Sequence, residues 1–518
     1  MTSSRILIRP SQRRSGTERF VISDMTNEAL PPPVPALFPQ REQRERVDDY
    51  LTRALADATE RVKAGSVVPD IDMARFREAL AAFDFRDPKP LEPLLEWVID
   101  CMEHGTVHMT HPRYFGLFNP APTFPSECAD RIAGCFNPQL ASSGSSPVPV
   151  AIEAHVIRSM AQRAGLPAGS GGHFTTSGSE ANYTALICAL TRANPRFAAE
   201  GVRAFSGPAV MYTSKECQPA WHKIAHQAGI GRQSLRLVDT DGTGRLDAAK
   251  LSTMVKNDLR NGAVPVLISP TAGTTGAGMV DPLEACADIA REHGIWCHVD
   301  AAWGGAALCS DRLRGELAGI EQADSVTIDA HKWFATTMGC GMFIARDPSL
   351  LNEAFGVGAD FMPSTASSID PYLNTVQWSR RFMGLRLFLS LATAGWAGYA
   401  VNVERAVDVI AQVKKQLLNR GWSIANDSKL AVLCAVPPPM SPPLKEIVRR
   451  LLATGRAWTA LATLEGRPVI RICATHGELS TSDVEELATH LEAARSAEHT
   501  EGTSTPLSCD HAGGADPR

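Results

Sequence analysis

The 518 residues contain no CxxC pair, no His/Cys group at zinc spacing and no HExxH, which removes zinc modules and zinc metalloproteases from consideration. The twelve cysteines are scattered, without the ladder of short spacings that a disulfide framework shows. They read as free thiols of a reducing compartment, and a cytoplasmic location is expected. No basic block follows the N-terminal arginines and the net charge is −5, so no nucleic-acid partner is expected. Those arginines lack the apolar stretch of a secretory signal; an organelle transit peptide is the alternative. The best membrane candidate, Leu387 to Val403, is short for a span and carries Ser390, Thr393 and two glycines. It reads as a buried helix, with no membrane partner. There is no GxGxxG, no GxxxxGK(S/T) and no internal repeat, so neither a dinucleotide fingerprint nor a P-loop is supported.

What is present is a globular chain, 44% hydrophobic and 21% charged, long enough for two or three domains. Residues 1–40 are Ser/Arg- and then Pro-rich and are expected to be disordered. A helical segment spans 41–110. Its first helix, from Arg41 to about Gly65, places Val47, Tyr50, Leu51, Leu55 and Ala58 on one face; Glu92 to Glu103 forms another. A large domain is expected over 111–385, a smaller C-terminal α+β domain over 386–495 and a disordered tail over 496–518. Strands are expected at Ala209–Thr213, Val264–Ser269, Ile295–Val299, Ser325–Ile328 and Pro468–Cys473. Asp281-Pro282 has the residues of a helix start and Gly294 those of its end. Strand, helix, strand is a βαβ unit, hence an α/β fold with a mostly parallel central sheet. Pro348 to Pro371 reads as a long loop of the kind that forms lids or is disordered.

Three stretches carry chemistry. Thr175-Thr176-Ser177-Gly178-Ser179-Glu180-Ala181-Asn182 opens an Ala/Leu-rich helix. Ser177 with Glu180 has the spacing of a capping box, and the bland reading is a well-capped helix. The sharper reading is an anion cradle, because small residues bring first-turn N–H groups close to a phosphate. Asp300 falls at the carboxyl end of a strand, where ligands bind in such sheets. Lys332 follows the buried strand Ser325–Ile328 within Asp329-Ala330-His331-Lys332-Trp333. A lysine held there is partly desolvated, which makes its amine nucleophilic; the bland reading is a solvated loop lysine. A phosphate cradle, a strand-end carboxylate and a nucleophilic lysine are together what pyridoxal phosphate requires.

With His298-Val299-Asp300-Ala301-Ala302-Trp303 and Gly273-Thr274-Thr275, these motifs resemble those of the group II pyridoxal-dependent decarboxylases, the family of aromatic-amino-acid and glutamate decarboxylases. They occur in the family's order, and the resemblance runs from about His111 to about Ala494. It implies a PLP-dependent fold type I enzyme acting as a homodimer, with the N-terminal helices packed on the partner subunit. It implies Lys332 as the aldimine lysine and Asp300 as partner of the pyridine nitrogen. Gly178 and Ser179 would contact the phosphate with His331 nearby. Thr275 would sit close to the ring and Ala302 beneath it. Alone, Thr275 is a turn hydroxyl and Ala302 a small core residue.

Two positions depart from the family's pattern. Where the family has a histidine stacked on the ring, this chain has Gln218, which cannot shuttle a proton; His222 and His226 are out of register and belong to a helix surface. Where the family often has a tyrosine that protonates the carbanion, counting from Ala354-Phe355 gives Phe361, which has no proton to give. Its bland reading is an apolar lid anchor. The aromatic run Tyr114-Phe115-Gly116-Leu117-Phe118 lines either a substrate pocket or a core. The leading expectation is decarboxylation of an L-amino acid to the amine. The alternatives are an aldehyde-forming oxidative decarboxylation or a transamination, and a catalytically silent dimer, against which intact Lys332 and Asp300 argue.

Overall fold

The computed structural model describes residues 34–358 and 370–497. The expectations placed on residues 1–33 and 498–518, and on Phe361, lie outside the described residues.

Three helices come first: α1 (Arg41–Ala64), α2 (Met73–Ala81) and α3 (Leu91–Gly105). Then α4 (Phe124–Phe136) and α5 (Pro147–Arg163) lead into β1 (Gly171–Thr175) and α6 (Gly178–Ala193). The central part alternates: the single turn α7 (Phe197–Glu200), β2 (Ala209–Ser214), α8 (Ala220–Gln227), β3 (Leu235–Val238), α9 (Ala248–Arg260), β4 (Val264–Ser269), α10 (Leu283–His293), β5 (Trp296–Asp300), β6 (Ser325–Asp329) and β7 (Gly341–Ala345). After α11 (Ser349–Phe355) the long α12 (Gly384–Leu418) leads to β8 (Ser423–Ile424), β9 (Val432–Val436), α13 (Leu444–Ala453), β10 (Ala460–Leu464), β11 (Arg467–Cys473) and α14 (Thr481–Ser496).

Seven strands form the main sheet in the order β1-β7-β6-β5-β4-β2-β3. Within it β3, β2, β4, β5 and β6 run parallel, and β7 is antiparallel to both its neighbours, β1 and β6. The four-stranded sheet β10-β11-β9-β8 is wholly antiparallel. Every residue of β5, β6 and β7 is buried, although on β6 the polar Ser325, Thr327 and Asp329 alternate with Val326 and Ile328. Between the two sheets α12 packs against α4, α5 and α14. It is broken at Gly395, whose φ of 63° and ψ of 175° only glycine adopts cheaply. Among the described residues no helix is long and apolar enough to cross a membrane.

Local readings differ from the structure at three points. Gly171 to Thr175, where no strand was expected, is an edge strand held by β7. The first part of the 348–371 loop is helix α11. Asp281 does not cap α10, because the helix starts after Pro282, whose ψ of 82° keeps the turn open. The Asp281 carboxylate instead accepts the N–H groups of Thr271 at 2.7 Å and Leu246 at 2.8 Å. Burial pushes it up to about 7, and its two acceptor bonds tie the loop after β4 to the turn before α9.

Candidate active site

The carboxyl ends of β4, β5 and β6 converge on the start of α6. The expected capping box of Ser177 and Glu180 is not formed. Ser177 is fully extended and its side chain makes no cap hydrogen bond. Glu180 reaches back one residue further, accepting from Thr176 N at 2.8 Å and Thr176 Oγ1 at 2.6 Å. With no side chain capping the first turn, its N–H groups stay available to an anion. Gly178 is buried against β6, and a Cβ there would stand 2.7 Å from Asp329 Oδ2. The absence of a side chain is therefore what lets the helix start so close to the strand end. Ser179, beside it, faces solvent.

Lys332 Nζ lies 3.1 Å from Asp329 Oδ2, the lysine side chain 22% exposed and the aspartate 3%. Asp329 is thus the counter-ion of the ammonium. Its Oδ1 has no hydrogen-bond partner among the described residues. His331 is buried, and its Nδ1 accepts the Cys340 N–H at 3.2 Å. Its Nε2 stands 3.7 Å from Asp329 Oδ2. Burial holds the imidazole below its ordinary range, against the pull of Asp329.

Asp300 closes β5 with 4% exposure. Its Oδ2 accepts from Asn182 Nδ2 at 2.8 Å and its Oδ1 from the Ala302 N–H at 3.2 Å. Burial pushes the carboxyl up, while the Lys332 ammonium and these two donors pull it down. Ala302, 9% exposed, also accepts the Asp329 N–H at 3.1 Å, so one residue spans the ends of β5 and β6.

The aromatic run divides its duties. Tyr114 stacks on Trp458 at 4.9 Å and belongs to the core. Phe118 stacks on Trp303 at 4.0 Å, and Trp303 on Trp333 at 4.7 Å, forming a three-ring wall beside the lysine. Lys332 Nζ is 5.7 Å from the Phe118 centroid, and the Arg471 guanidinium carbon 4.4 Å from it. Arg471, on β11, is 2% exposed. Its Nε donates to the carbonyl of Thr275 at 2.7 Å and its Nη1 to that of Gly116. Its Nη2 is buried with no partner among the described residues.

Gly178, Ala302, Asp300, His331 and Lys332 therefore meet at one place, and Thr275 joins them through Arg471. Gln218 Oε1 accepts the Ala220 N–H at the start of α8. The neighbouring Cys217 thiol, raised chiefly by burial, does sense the charge of Asp300. His222 and His226 lie on α8, as expected, and His226 is exposed. Three functional candidates escaped the sequence reading. Arg471 was visible as a charged residue inside the apolar strand Pro468–Cys473. Asp329 and Asn182 stood in the quoted motifs without a role.

These residues fit pyridoxal phosphate. The uncapped first turn of α6 suits its phosphate, the buried Asp300 carboxylate its ring nitrogen, and the Lys332 amine its aldehyde. Asn182, which holds Asp300, lies one helical turn, about 5 Å of rise, beyond the anion end.

Comparison with known proteins agrees. Residues 79–435 match the family model of the pyridoxal-dependent decarboxylase conserved domain. The chain is 33% identical over 345 residues to cysteine sulfinic acid decarboxylase of Mus musculus, covering 65% of this chain and 69% of that protein. It is 30% identical over 362 residues to acidic amino acid decarboxylase GADL1 of Bos taurus, covering 68% and 69%. The structure of mouse CSAD superposes with a TM-score of 0.83 at 26% identity, covering 88% of this chain and 99% of that one. Oryza sativa TDC with PLP and tryptamine shares the fold, with a TM-score of 0.83 at 24% identity. The α/β architecture with its mostly parallel central sheet is that of the fold type I PLP enzymes. The chain belongs to the pyridoxal-dependent decarboxylases, carboxy-lyases whose cofactor is pyridoxal phosphate.

Proposed function

We propose that this protein decarboxylates an L-amino acid to the corresponding amine, with Lys332 as the residue that carries the cofactor and Asp300 as the partner of its ring nitrogen. The carrying observation is the buried Asp300 carboxylate and the Lys332–Asp329 pair at the ends of adjacent parallel strands. When bound, pyridoxal phosphate supplies an electron sink for the pair left behind as carbon dioxide departs. Asp300 serves that sink by holding the ring nitrogen protonated. Asp329 keeps the Lys332 ammonium paired inside the pocket. Phe118, Trp303 and Trp333 wall the reacting region with apolar surface and exclude water, which strengthens each electrostatic contact there.

Arg471 is our candidate for holding the substrate carboxylate. A buried guanidinium with one nitrogen unpaired has an unmet demand for an anion. Arg471→Gln should lower kcat/KM roughly a hundredfold through loss of a buried charged contact. Steady-state kinetics on the amino acid that turns over checks this; unchanged kcat/KM would show that Arg471 only braces the Thr275 and Gly116 carbonyls.

The site reading is tested by incubating purified protein with the common L-amino acids under air, following carbon dioxide, amine, aldehyde and peroxide. Amine equal to carbon dioxide supports the proposal. Aldehyde with ammonia and peroxide supports the second reading, oxidative decarboxylation with oxygen as oxidant. What favours that reading is Phe361 in the sequence, together with the Gln218 amide engaged at α8. Keto acid without carbon dioxide would mean transamination.

We also propose a cytoplasmic homodimer. Of the α1 face read from the sequence only Ala58 is buried, and Leu55 is 50% exposed. On α4, Phe124 and Phe136 are 74% and 80% exposed. Apolar surface of this kind marks a protein contact. Light scattering should give twice the 55.7 kDa chain mass; a stable, fully active monomer would contradict it.

A further inference from the structure

The polar contacts of Asp300 continue inward from Asn182 as a chain of hydrogen bonds. On β5, Trp296, His298 and Asp300 alternate onto one face. In the paired register of β6, Ser325 lies opposite His298 and Thr327 opposite Asp300. Trp296 Nε1 donates to Ser325 Oγ at 2.7 Å. Ser325 Oγ lies 2.8 Å from His298 Nδ1, His298 Nε2 lies 3.0 Å from Asn182 Oδ1, and Asn182 Nδ2 lies 2.8 Å from Asp300 Oδ2. Trp296, Ser325, His298, Asn182 and Asp300 are all buried.

The direction of this chain is dictated by its two ends. An indole nitrogen can only donate, and a carboxylate can only accept. Asp300 takes a proton of Asn182 Nδ2, so Asn182 Oδ1 faces His298 and must accept; the neutral ring then carries its one proton on Nε2, and Ser325, which accepts from Trp296, gives its hydroxyl proton to the bare Nδ1. His298 is then the Nε2–H tautomer and donates to Asn182 Oδ1. That bond turns the Asn182 amide so that Nδ2 faces Asp300. Thr327 Oγ1, 3.2 Å from His298 Nε2, can share the same proton. Burial pushes His298 down to about 3, so the ring is neutral, as the chain requires.

We propose that His298 and Asn182 are positioning residues: a neutral relay from Trp296 and Ser325 that fixes the Asn182 amide and thereby holds Asp300 as an aimed carboxylate against the cofactor ring nitrogen. This rests on the cofactor reading above. A carboxylate whose last donor is held by a locked amide does not have to reorganise when the ring arrives, which is the preorganisation that such sites exploit. The Ala302 N–H donates to the other carboxylate oxygen, and the remaining groups facing Asp300 act by charge. The Lys332 ammonium favours the ionised form, Asp329 opposes it, and the Cys217 thiol lies within its field.

The test is titration of apo-protein with free pyridoxal phosphate, read by absorbance across a pH series, for wild type, Asn182→Leu, His298→Leu and His298→Gln. Thermal melting of each apo-protein is the control. Asn182→Leu should weaken cofactor binding roughly tenfold or more, the loss of one hydrogen bond to a charged group. Its acid limb of binding should move to higher pH, because Asp300 takes up its proton earlier. His298→Leu should shift the limb the same way, and add nothing in the Asn182→Leu background. His298→Gln, which keeps an N–H toward Asn182, should restore the wild-type limb. Should the leucine variants fail to fold, Asn182→Ser is used, with a smaller shift of the same sign. Wild-type affinity and acid limb in variants that merely melt lower would overturn the relay. Failure of wild type to bind the cofactor at all would overturn the cofactor reading instead.

Discussion

Lys332→Ala should lose turnover by on the order of 10³-fold or more, because among the described residues Lys332 is the lysine that pairs with Asp329 and acts on Asp300. The same change strips Asp329 of its cation at 3.1 Å and leaves a carboxylate that is 3% exposed without compensation. Lys332→Ala apo-protein should therefore also melt below wild type. Lys332→Arg separates the two effects. It restores a cation for Asp329 and most of the stability, yet supplies no amine able to condense with an aldehyde, so turnover stays lost. Carbon dioxide release and thermal melting, measured together on the two variants, check this. Substantial turnover in either variant would move the cofactor to another residue.

Asp300→Asn should keep a weakened hold on the cofactor and lose turnover roughly 10²- to 10³-fold, the scale on which a preorganised electrostatic partner contributes. The substitution is nearly isosteric, but its single side-chain oxygen can serve only one of the two donors, Asn182 Nδ2 and the Ala302 N–H. It cannot hold a ring nitrogen protonated. The effect should therefore fall on kcat at saturating cofactor more than on folding. A kcat within a few fold of wild type would show that Asp300 is a structural carboxylate.

The cofactor end of the site was legible because its residues sit in short contiguous motifs at strand ends, where sequence order and spatial order nearly coincide. Lys332, Asp300 and Gly178 could be placed that way. Arg471 could not, since it comes from β11, in the other sheet, and reaches the pocket only when the two sheets pack together. The role of Asn182 escaped for a related reason: it lies one turn into α6 and meets Asp300 from an element far away in sequence. Asp281-Pro282 carried the residues of a helix start, but two distant backbone N–H groups, of Thr271 and Leu246, claim the carboxylate. The Ser177 box failed because Glu180 satisfies Thr176 instead. The first signal lost to hydrogen bonds from distant residues, the second to an alternative bond four residues away.

The measurement that bears most directly on the central claim is borohydride reduction of the cofactor-loaded protein, followed by proteolysis and mass analysis of pyridoxyl-bearing peptides. A single modified peptide, carrying the group on Lys332, is the result expected. A modified peptide containing a different lysine, or no modification in a demonstrably yellow, cofactor-loaded sample, would contradict it.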